Sequence, residues 1–452
     1  MLTIPADAAY ILKKLNQAGH QAYVVGGCVR DALLGREPKD WDVCTSAAPE
    51  IMKQIFQDCH VVETGLQHGT LTVVLHHVPY EVTTFRVDEG YADHRHPDHV
   101  RFVTDVREDL ARRDFTVNAM AWHPQTGLVD AFAGQQDLAA GVLRCVGEPS
   151  LRFEEDALRI LRALRFASVY DFRIEEKTSE AIHALHPTLT RVAAERIRVE
   201  LGKLLCGRAA AGILRAYPDV LHTILPETAA MYGFEQHTPH HAYDVWEHTL
   251  HALAAAPAGE TLRFAILLHD AGKPEAFTLD AEGVGHMYGH AKLSAEKAER
   301  AMARLKMDRA TWEDVVLLVE KHDIPLEAER KMMKRRLNQL GERRLRLLIQ
   351  LQRADALGKG TEEPEAVDAR TKQQEAVLTK LLAENACVTL KQLAVSGRDL
   401  MQAGVPAGKQ IGVVLNALLV EVMDEKTPNE RESLLQRAKQ LQAAGGVYGQ
   451  VE

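Results

Sequence analysis

Apolar residues recur every three or four positions between residues 6 and 20, and the run stops at Gly19, which predicts a first helix ending there. The pattern then changes period. Ala22-Tyr23-Val24-Val25 is a short, unbroken apolar run of the kind a buried strand requires. A second helix is predicted near 48–57. Residues 60–63, 69–75 and 80–85 then follow, rich in β-branched side chains and separated by short polar turns. Together these segments predict a small mixed sheet flanked by helices. The stretch 88–99 (DEGYADHRHPDH) is polar and contains Gly and Pro, which predicts a mobile loop. From about residue 137 to the C-terminus helical periodicity dominates, interrupted at 357–370 by an expected exposed connection. The fold class is therefore α+β, an N-terminal mixed-sheet head followed by a long all-α body. No repeat of solenoid period is seen.

Composition narrows the picture. The chain has 452 residues, 46% hydrophobic and 26% charged, enough for two to four soluble domains. No run of about 18 apolar residues occurs, so no membrane partner is expected. Residues 1–7 lack a basic region followed by an apolar one, and the six cysteines (28, 44, 59, 145, 206, 387) show no C-x-x-C pairing. A cytoplasmic protein with reduced thiols is the expectation. The net charge of −9 opposes indiscriminate nucleic-acid binding. Local basic stripes can still carry phosphate contacts: Lys331, Lys334, Arg335, Arg336, Arg343, Arg344 and Arg346 form two candidates, with a solvated helix face as the alternative.

The densest chemistry lies in Gly26-Gly27-Cys28-Val29-Arg30-Asp31 followed by Asp40-Trp41-Asp42. A glycine turn after a strand lets backbone N–H groups approach a triphosphate. If Asp40 and Asp42 lie on a strand, the period of two puts both carboxylates on one face, suited to Mg²⁺ ions bridging nucleotide phosphates. The string GGCVRDALLGREPKDWDVCT closely resembles the nucleotidyltransferase signature of the class II tRNA nucleotidyltransferase and poly(A) polymerase family, within the polymerase-β-like superfamily. That resemblance implies catalysis at Asp40 and Asp42, with Mg²⁺ as cofactor and Gly26, Gly27 and Arg30 at the nucleotide. Glu81, mid-segment in Tyr80-Glu81-Val82, is a candidate third metal carboxylate; an outward strand residue is the alternative.

Three further strings extend the resemblance. Residues 109–119 (DLARRDFTVNA) match the family's D-L-x-R-R-D-F-T-x-N-A motif, which implies that Arg112, Arg113, Asp114 and Asn118 contact the triphosphate and ribose. Paired arginines suit phosphate oxygens, and a carboxylate accepting from the 2′-hydroxyl separates ribonucleotides from deoxyribonucleotides. Residues 155–166 (EDALRILRALRF) resemble the family's protein template, in which Asp156 and Arg159, expected on one helix face, read the Watson–Crick edge of CTP or ATP. Arg162 and Arg165 join the expected nucleotide contacts. Residues 194–201 (AERIRVEL) resemble a bracing helix, with Glu195, Arg196 and Glu200 in support and Ala194 where many relatives have Ser. In the tail, residues 395–412, punctuated by Gly404, Pro406 and Gly408 and carrying Lys409, resemble the segment that holds the tRNA elbow.

A second constellation resembles the HD phosphohydrolase superfamily: His248, then Leu267-Leu268-His269-Asp270-Ala271-Gly272-Lys273, then Asp355, with His290 and His322 as further ligand candidates. Imidazoles and carboxylates from several helices suit a divalent transition metal that activates water. The resulting expectation has four parts: a nucleotidyltransferase head at 1–140, a neck for base recognition at 141–220, an HD domain at 221–360, and a tRNA-binding tail at 361–452. The implied activity is addition of C, C and A to the tRNA 3′ end from CTP and ATP, with an HD-site phosphohydrolase beside it. The alternatives are a CC-adding or A-adding enzyme, a poly(A) polymerase, or a phosphohydrolase whose head only binds nucleotide and RNA.

Overall fold

The computed structural model describes residues 2–89 and 99–443. It divides the chain into two compact units, Met1–Ala229 with Ala301–Met307, and Ala230–Arg300 with Asp308–Glu452. The first two of the four expected segments fall wholly within the first unit.

The first unit opens with helix α1 (Ala6–Gln17), whose buried residues Ala8, Ile11, Leu12 and Leu15 are those the apolar period marks. Gly19, at φ +84°, turns the chain into strand β1 (Ala22–Val25). Helix α2 (Gly27–Leu33), strand β2 (Val43–Thr45) and helix α3 (Pro49–Ile55) follow. Strands β3 (His60–Gly65), β4 (Thr70–Leu75) and β5 (Val78–Thr84) then form an antiparallel meander. The β4–β5 link is His76-His77, both at left-handed φ (48° and 67°), the two-residue turn that suits the twist of paired strands. Strands β6 (Arg86–Glu89) and β7 (His99–Phe102) pair with each other, so residues 88, 89 and 99 of the expected loop are strand. The rest of that loop, 90–98, lies outside the described residues. Helix α4 (Val106–Ala111) leads to strands β8 (Met120–His123) and β9 (Gly127–Asp130).

Seven strands make one mixed sheet in the order β3-β4-β5-β2-β1-β8-β9, antiparallel except for the parallel β2–β5 pair. Val25, Cys44, Phe85, Leu110 and Ala121 share one of its buried clusters. The parallel pairing matters for the site: Val43 pairs with Val82, which brings the preceding residues, Asp42 and Glu81, to one level. Helices α5 (Gly134–Ala140), α6 (Pro149–Glu155), α7 (Leu158–Tyr170), α8 (Glu176–Leu185), α9 (Ala194–Leu205), α10 (Ala210–Ala216) and α11 (Pro218–Ile224) complete the unit.

The second unit is helical, as the periodicity predicts, apart from a two-residue strand pair at 278–279 and 285–286. Its helices are α12 (Val245–Ala255), α13 (Glu260–Leu268), α14 (Lys273–Ala276), α15 (His290–Arg304, whose end joins the first unit), α16 (Arg309–Lys321), α17 (Arg330–Lys359) and α18 (Pro364–Ala383). The expected connection at 357–370 shrinks to four residues, 360–363, because Gly360 takes a left-handed φ of 68° and Pro364 opens the next helix. Helices α19 (Gly397–Gln402), α20 (Lys409–Met423) and α21 (Arg431–Ala443) close over Leu400, Leu418 and Leu434. Most of the two basic stripes is spent internally rather than left for phosphate. Lys334 pairs with Glu425 at 2.9 Å, Arg335 with Asp424 at 2.6 Å, Arg344 with Asp314 at 2.7 Å and Arg346 with Glu342 at 3.0 Å. Arg343 also pairs with Asp314.

Helix α12 crosses α17 at Gly358, where a Cβ would stand 2.9 Å from both the Ala252 Cβ and the His248 carbonyl oxygen. An exposed helical Gly→Ala change stabilises by about 1 kcal/mol, but overpacking here costs about 1–3 kcal/mol. Gly358→Ala is therefore expected to lower the calorimetric melting temperature; an unchanged or higher value refutes the close approach.

Candidate active site and a second histidine–carboxylate centre

At the end of β1 the chain turns through Gly26 at φ +81°, where a Cβ would meet Arg113 Nη1 at 2.8 Å. Only glycine admits both that backbone and that guanidinium. The Val25 N–H donates to the Asp42 carbonyl at 3.0 Å, which sets Asp42 beside the turn. Asp40 and Asp42 are not strand residues, contrary to the period-of-two expectation; they occupy the extended segment entering β2. The β2–β5 register brings Asp42 to the level of Glu81. Burial, then the negative charges of Asp40 and Glu81, push the Asp42 carboxyl up to about 6, against the opposing pull of Arg113. Three carboxylates thus repel one another at the turn, and a divalent cation is the group that relieves such repulsion.

Behind this edge, Asp109 is fully buried and takes Arg112 at 2.9 Å and Arg113 at 3.3 Å. Burial opposes its ionisation, yet the two arginines hold it below the usual carboxylate range. Asp114 is buried and accepts from Arg162 Nε at 2.9 Å and Nη2 at 2.6 Å, with the Asn118 amide at 3.1 Å. Here too burial is outweighed, and the carboxyl sits at about 2. Arg30, expected at the nucleotide, is buried beside the turn. It donates to Asn118 Oδ1, to Tyr170 Oη at 2.6 Å and to Asp31 Oδ1 at 2.9 Å, with its guanidinium 4.5 Å from the Tyr170 ring centroid.

The helix expected to carry both Asp156 and Arg159 breaks between them. Helix α6 ends at Glu155, and Asp156 (φ −146°, ψ 102°) is extended, its Oδ1 accepting from Leu158 N–H at the start of α7. An Asp competing for a helix-start N–H explains the break. Asp156 meets Arg196 of α9 at 2.7 Å, while Arg159 meets Glu155 at 2.6 Å and the Arg112 carbonyl at 3.3 Å. Arg165 pairs with buried Glu200 at 2.6 Å, and Glu195 with Lys306 at 2.8 Å. Gly26, Arg113, Asp42 and Glu81 thus form one edge of the site, and Asp114, Arg159, Arg162 and Asp156 another.

In the second unit, His248, His269, Asp270 and Asp355 present ligand atoms all within 4.8 Å of one another, and Asp270, His290 and His322 do the same. They come from α12, the end of α13, the ends of α15 and α16, and α17. His248 Nε2 lies 3.1 Å from Asp270 Oδ2 and 3.1 Å from Asp355 Oδ1, while His269 Nε2 lies 3.2 and 3.4 Å from the same atoms. Burial pulls the His269 imidazole down, but Asp270 and Asp355 outweigh it and push it up to about 10. The donor set therefore demands positive charge. Two lysines were missed from the sequence: Lys273 lies 2.7 Å from Asp270 and Lys359 lies 3.0 Å from Asp355. Their spacings from the carboxylates, three and four residues on, were the available signal. The cluster opens into a cavity of about 740 Å³ lined by His241, Asp270, Lys273, His290, His322 and Lys359, among others.

Residues 22–144 match the poly A polymerase head domain, 171–231 the probable RNA and SrmB-binding site of polymerase A, and 284–438 the tRNA nucleotidyltransferase domain 2. The CCA-adding enzyme of Leuconostoc mesenteroides is 48% identical over 49% of this chain, and the match spans about half (55%) of that relative's length. The CCA-adding enzyme of Levilactobacillus brevis is 36% identical over 94% of this chain and 95% of its own. Among solved structures, the Bacillus stearothermophilus CCA-adding enzyme in complex with CTP is 29% identical, with a TM-score of 0.73 over 97% of each chain. The Thermotoga maritima CCA-adding enzyme complexed with tRNA, at 22% identity and TM-score 0.59, shares the fold. No helix among the described residues is long and apolar enough to cross a membrane. With a match of this identity along almost its whole length, the chain belongs to the CCA-adding enzyme family.

Proposed function

We propose that this chain adds C, C and A to the 3′ end of tRNA from CTP and ATP without a nucleic-acid template. The observation that carries the reading is the carboxylate group Asp40, Asp42 and Glu81 held beside the Gly26 turn and Arg113. These carboxylates would hold Mg²⁺, which when bound would supply positive charge at the α-phosphate and make the terminal 3′-hydroxyl a better nucleophile. Gly26 and Gly27 offer backbone at the triphosphate, and Arg113 and Arg112 neutralise it from Asp109. Asp156 accepts from the exocyclic amine common to C and A, and Arg159 donates to the adjacent ring acceptor. Arg196 and Glu155 hold that pair in place beforehand, so a base with the reversed pattern leaves charged groups unsatisfied. Lys409 and the glycine-punctuated ends of α19 and α20 face the tRNA backbone in this reading.

The His248–His269–Asp270–Asp355 cluster supports a second reading alongside the first, a divalent-metal phosphohydrolase centre. Its buried imidazoles and carboxylates have the donor chemistry of a transition metal.

The deciding measurement incubates the protein with Mg²⁺, each NTP and tRNA transcripts ending before C74, C75 or A76. C, C and A incorporation is expected; none on any transcript sinks the transferase reading, and C alone or A alone selects a partial enzyme. Asp42→Ala is expected to abolish incorporation and spare phosphoester hydrolysis, and Asp355→Ala to do the reverse. Loss of both activities in either variant argues against two separate centres.

Arg196→Ala is expected to lower the preference for CTP over UTP by about 10-fold or more, a charged hydrogen bond being worth about 1.5–3 kcal/mol. Recovery in Arg196→Lys separates positioning of Asp156 from a general loss of fold.

The raised Asp42 carboxyl gives a pH signature with a definite sign. Its neutral form is favoured by folding, so its contribution to stability is complete below the unfolded value and is lost as pH rises through about 6. Metal-free protein is expected to lose stability over that interval, and Mg²⁺ to restore it above pH 6 but not below. A Mg²⁺-induced melting shift independent of pH, or unaltered in Asp42→Asn, refutes the assignment.

A further inference from the structure

We infer that Tyr170 and Arg36 are positioning residues for the candidate catalytic carboxylate Asp40, a tether that fixes the chain on which it rides; this rests on the transferase reading above. The segment between α2 and β2 is what needs fixing. Among the described residues, 37–41 make no main-chain hydrogen bond, and Asp40 is exposed. A carboxylate on such a segment keeps one place only if the chain is held on both sides of it. On the far side the hold is the sheet: the Asp42 carbonyl accepts from Val25 N–H at 3.0 Å, and Val43 pairs with Val24.

On the near side the hold passes through Arg36. Helix α2 ends at Gly35 (φ +68°), whose N–H donates to the Ala32 carbonyl at 3.1 Å, while Arg36 N–H donates to the Asp31 carbonyl at 2.9 Å. This pair of reversed bonds is the glycine-terminated helix end that sets the exit direction of the chain. It places the Arg36 guanidinium 4.7 Å from the Tyr170 ring centroid, within cation–π range. Tyr170 is itself locked. It is buried, and its Oη donates to Asp31 Oδ1 at 2.8 Å and accepts from Arg30 Nη2 at 2.6 Å. Its ring centroid lies 6.1 Å from that of Phe166 and 5.6 Å from that of Phe172. Asp31 thus grips Arg36 through its carbonyl and Tyr170 through its carboxylate, which closes a triangle. The step from Arg36 to Asp40 is short and stiff, because Pro38 fixes its own φ and confines Glu37 to extended backbone. Pinning Arg36 therefore limits where Asp40 can point. Tyr170 is also the last residue of α7, whose first turn carries Arg159, so one helix bears a base-reading candidate at one end and the tether at the other.

The test reads the tether in the full chain, first free of metal and then in turnover. The chain has four tryptophans, and Trp41 stands between the two carboxylates. Labelling with 5-fluorotryptophan, with Trp41→Phe to assign the signal, gives a fluorine resonance that reports this segment without nucleotide or metal. Arg36→Ala is expected to shift or broaden that resonance and to raise the Mg²⁺ needed for half-maximal C incorporation by about 3-fold or more. Excess Mg²⁺ is expected to recover the rate, with the KM for CTP and the preference for CTP over UTP unchanged. Arg36→Lys, which keeps the cation, is expected to restore both readouts. Tyr170→Leu is expected to match Arg36→Ala, and the double variant to be no worse than either alone. Because Arg36 is exposed, its variants decide the matter if Tyr170→Leu fails to fold. An unchanged Trp41 resonance or an unchanged Mg²⁺ requirement in Arg36→Ala overturns the tether, and additive penalties in the double variant overturn the pairing. A Trp41 response without incorporation by the parent protein leaves the tether standing and sinks the transferase reading instead.

Discussion

The structure depends on how it compensates carboxylates that its fold withdraws from water. Burying an ionised carboxylate alone is prohibitive, so each needs a cation or a proton. Asp109 is answered by Arg112 and Arg113, Asp114 by Arg162, Glu200 by Arg165 and Asp314 by Arg344. Guanidinium groups suit the task because they never lose their charge and offer several donors in one plane. In the first unit these fixed charges tie residues 109–114 to α7, and α7 to α9, along one edge of the candidate active site.

Two places depart from that pattern. At the Gly26 turn, half-buried Asp42 faces the exposed Asp40 and Glu81 carboxylates with Arg113 as the opposing charge, and its carboxyl rises to about 6. In the second unit, Asp270 and Asp355 are answered by two lysines, and four imidazoles still crowd against them. Carboxylates short of positive charge at the glycine turn, and imidazoles crowding carboxylates that already have lysine partners beside a cavity, distinguish these sites from scaffold. Arg30, in the most recognisable motif of the chain, is buried and holds three partners, Asp31, Asn118 and Tyr170.

Much of this was legible in the sequence, and the losses have physical causes. The β1 strand, the Gly26 turn and the helical body followed from period and composition, because those signals are local. The position of Asp42 beside Glu81 did not, since it depends on a parallel β2–β5 pairing that no local pattern encodes. The break at Asp156 was hidden because residues 155–166 fit a helix as well as the chain on either side does. Only the Leu158 N–H and Arg196, forty residues on, decide the matter. The basic stripes of α17 looked available for phosphate because their partners, Asp314, Glu375, Asp424 and Glu425, are scattered elsewhere in the sequence. Charge is readable from one chain; whether that charge is already spent is a tertiary fact.

The same accounting separates the two centres chemically. The carboxylate-only group at the Gly26 turn offers hard oxygen donors, the preference of Mg²⁺. The second centre offers imidazole nitrogens whose rings are locked by the carbonyls of Ile266, Met287 and Val319. Such a preorganised nitrogen set favours a transition metal over Mg²⁺. On the proposed readings, one chain therefore draws different cations from the same solution without a dedicated selectivity device. The choice is made by which carboxylates the fold surrounds with oxygen and which with nitrogen.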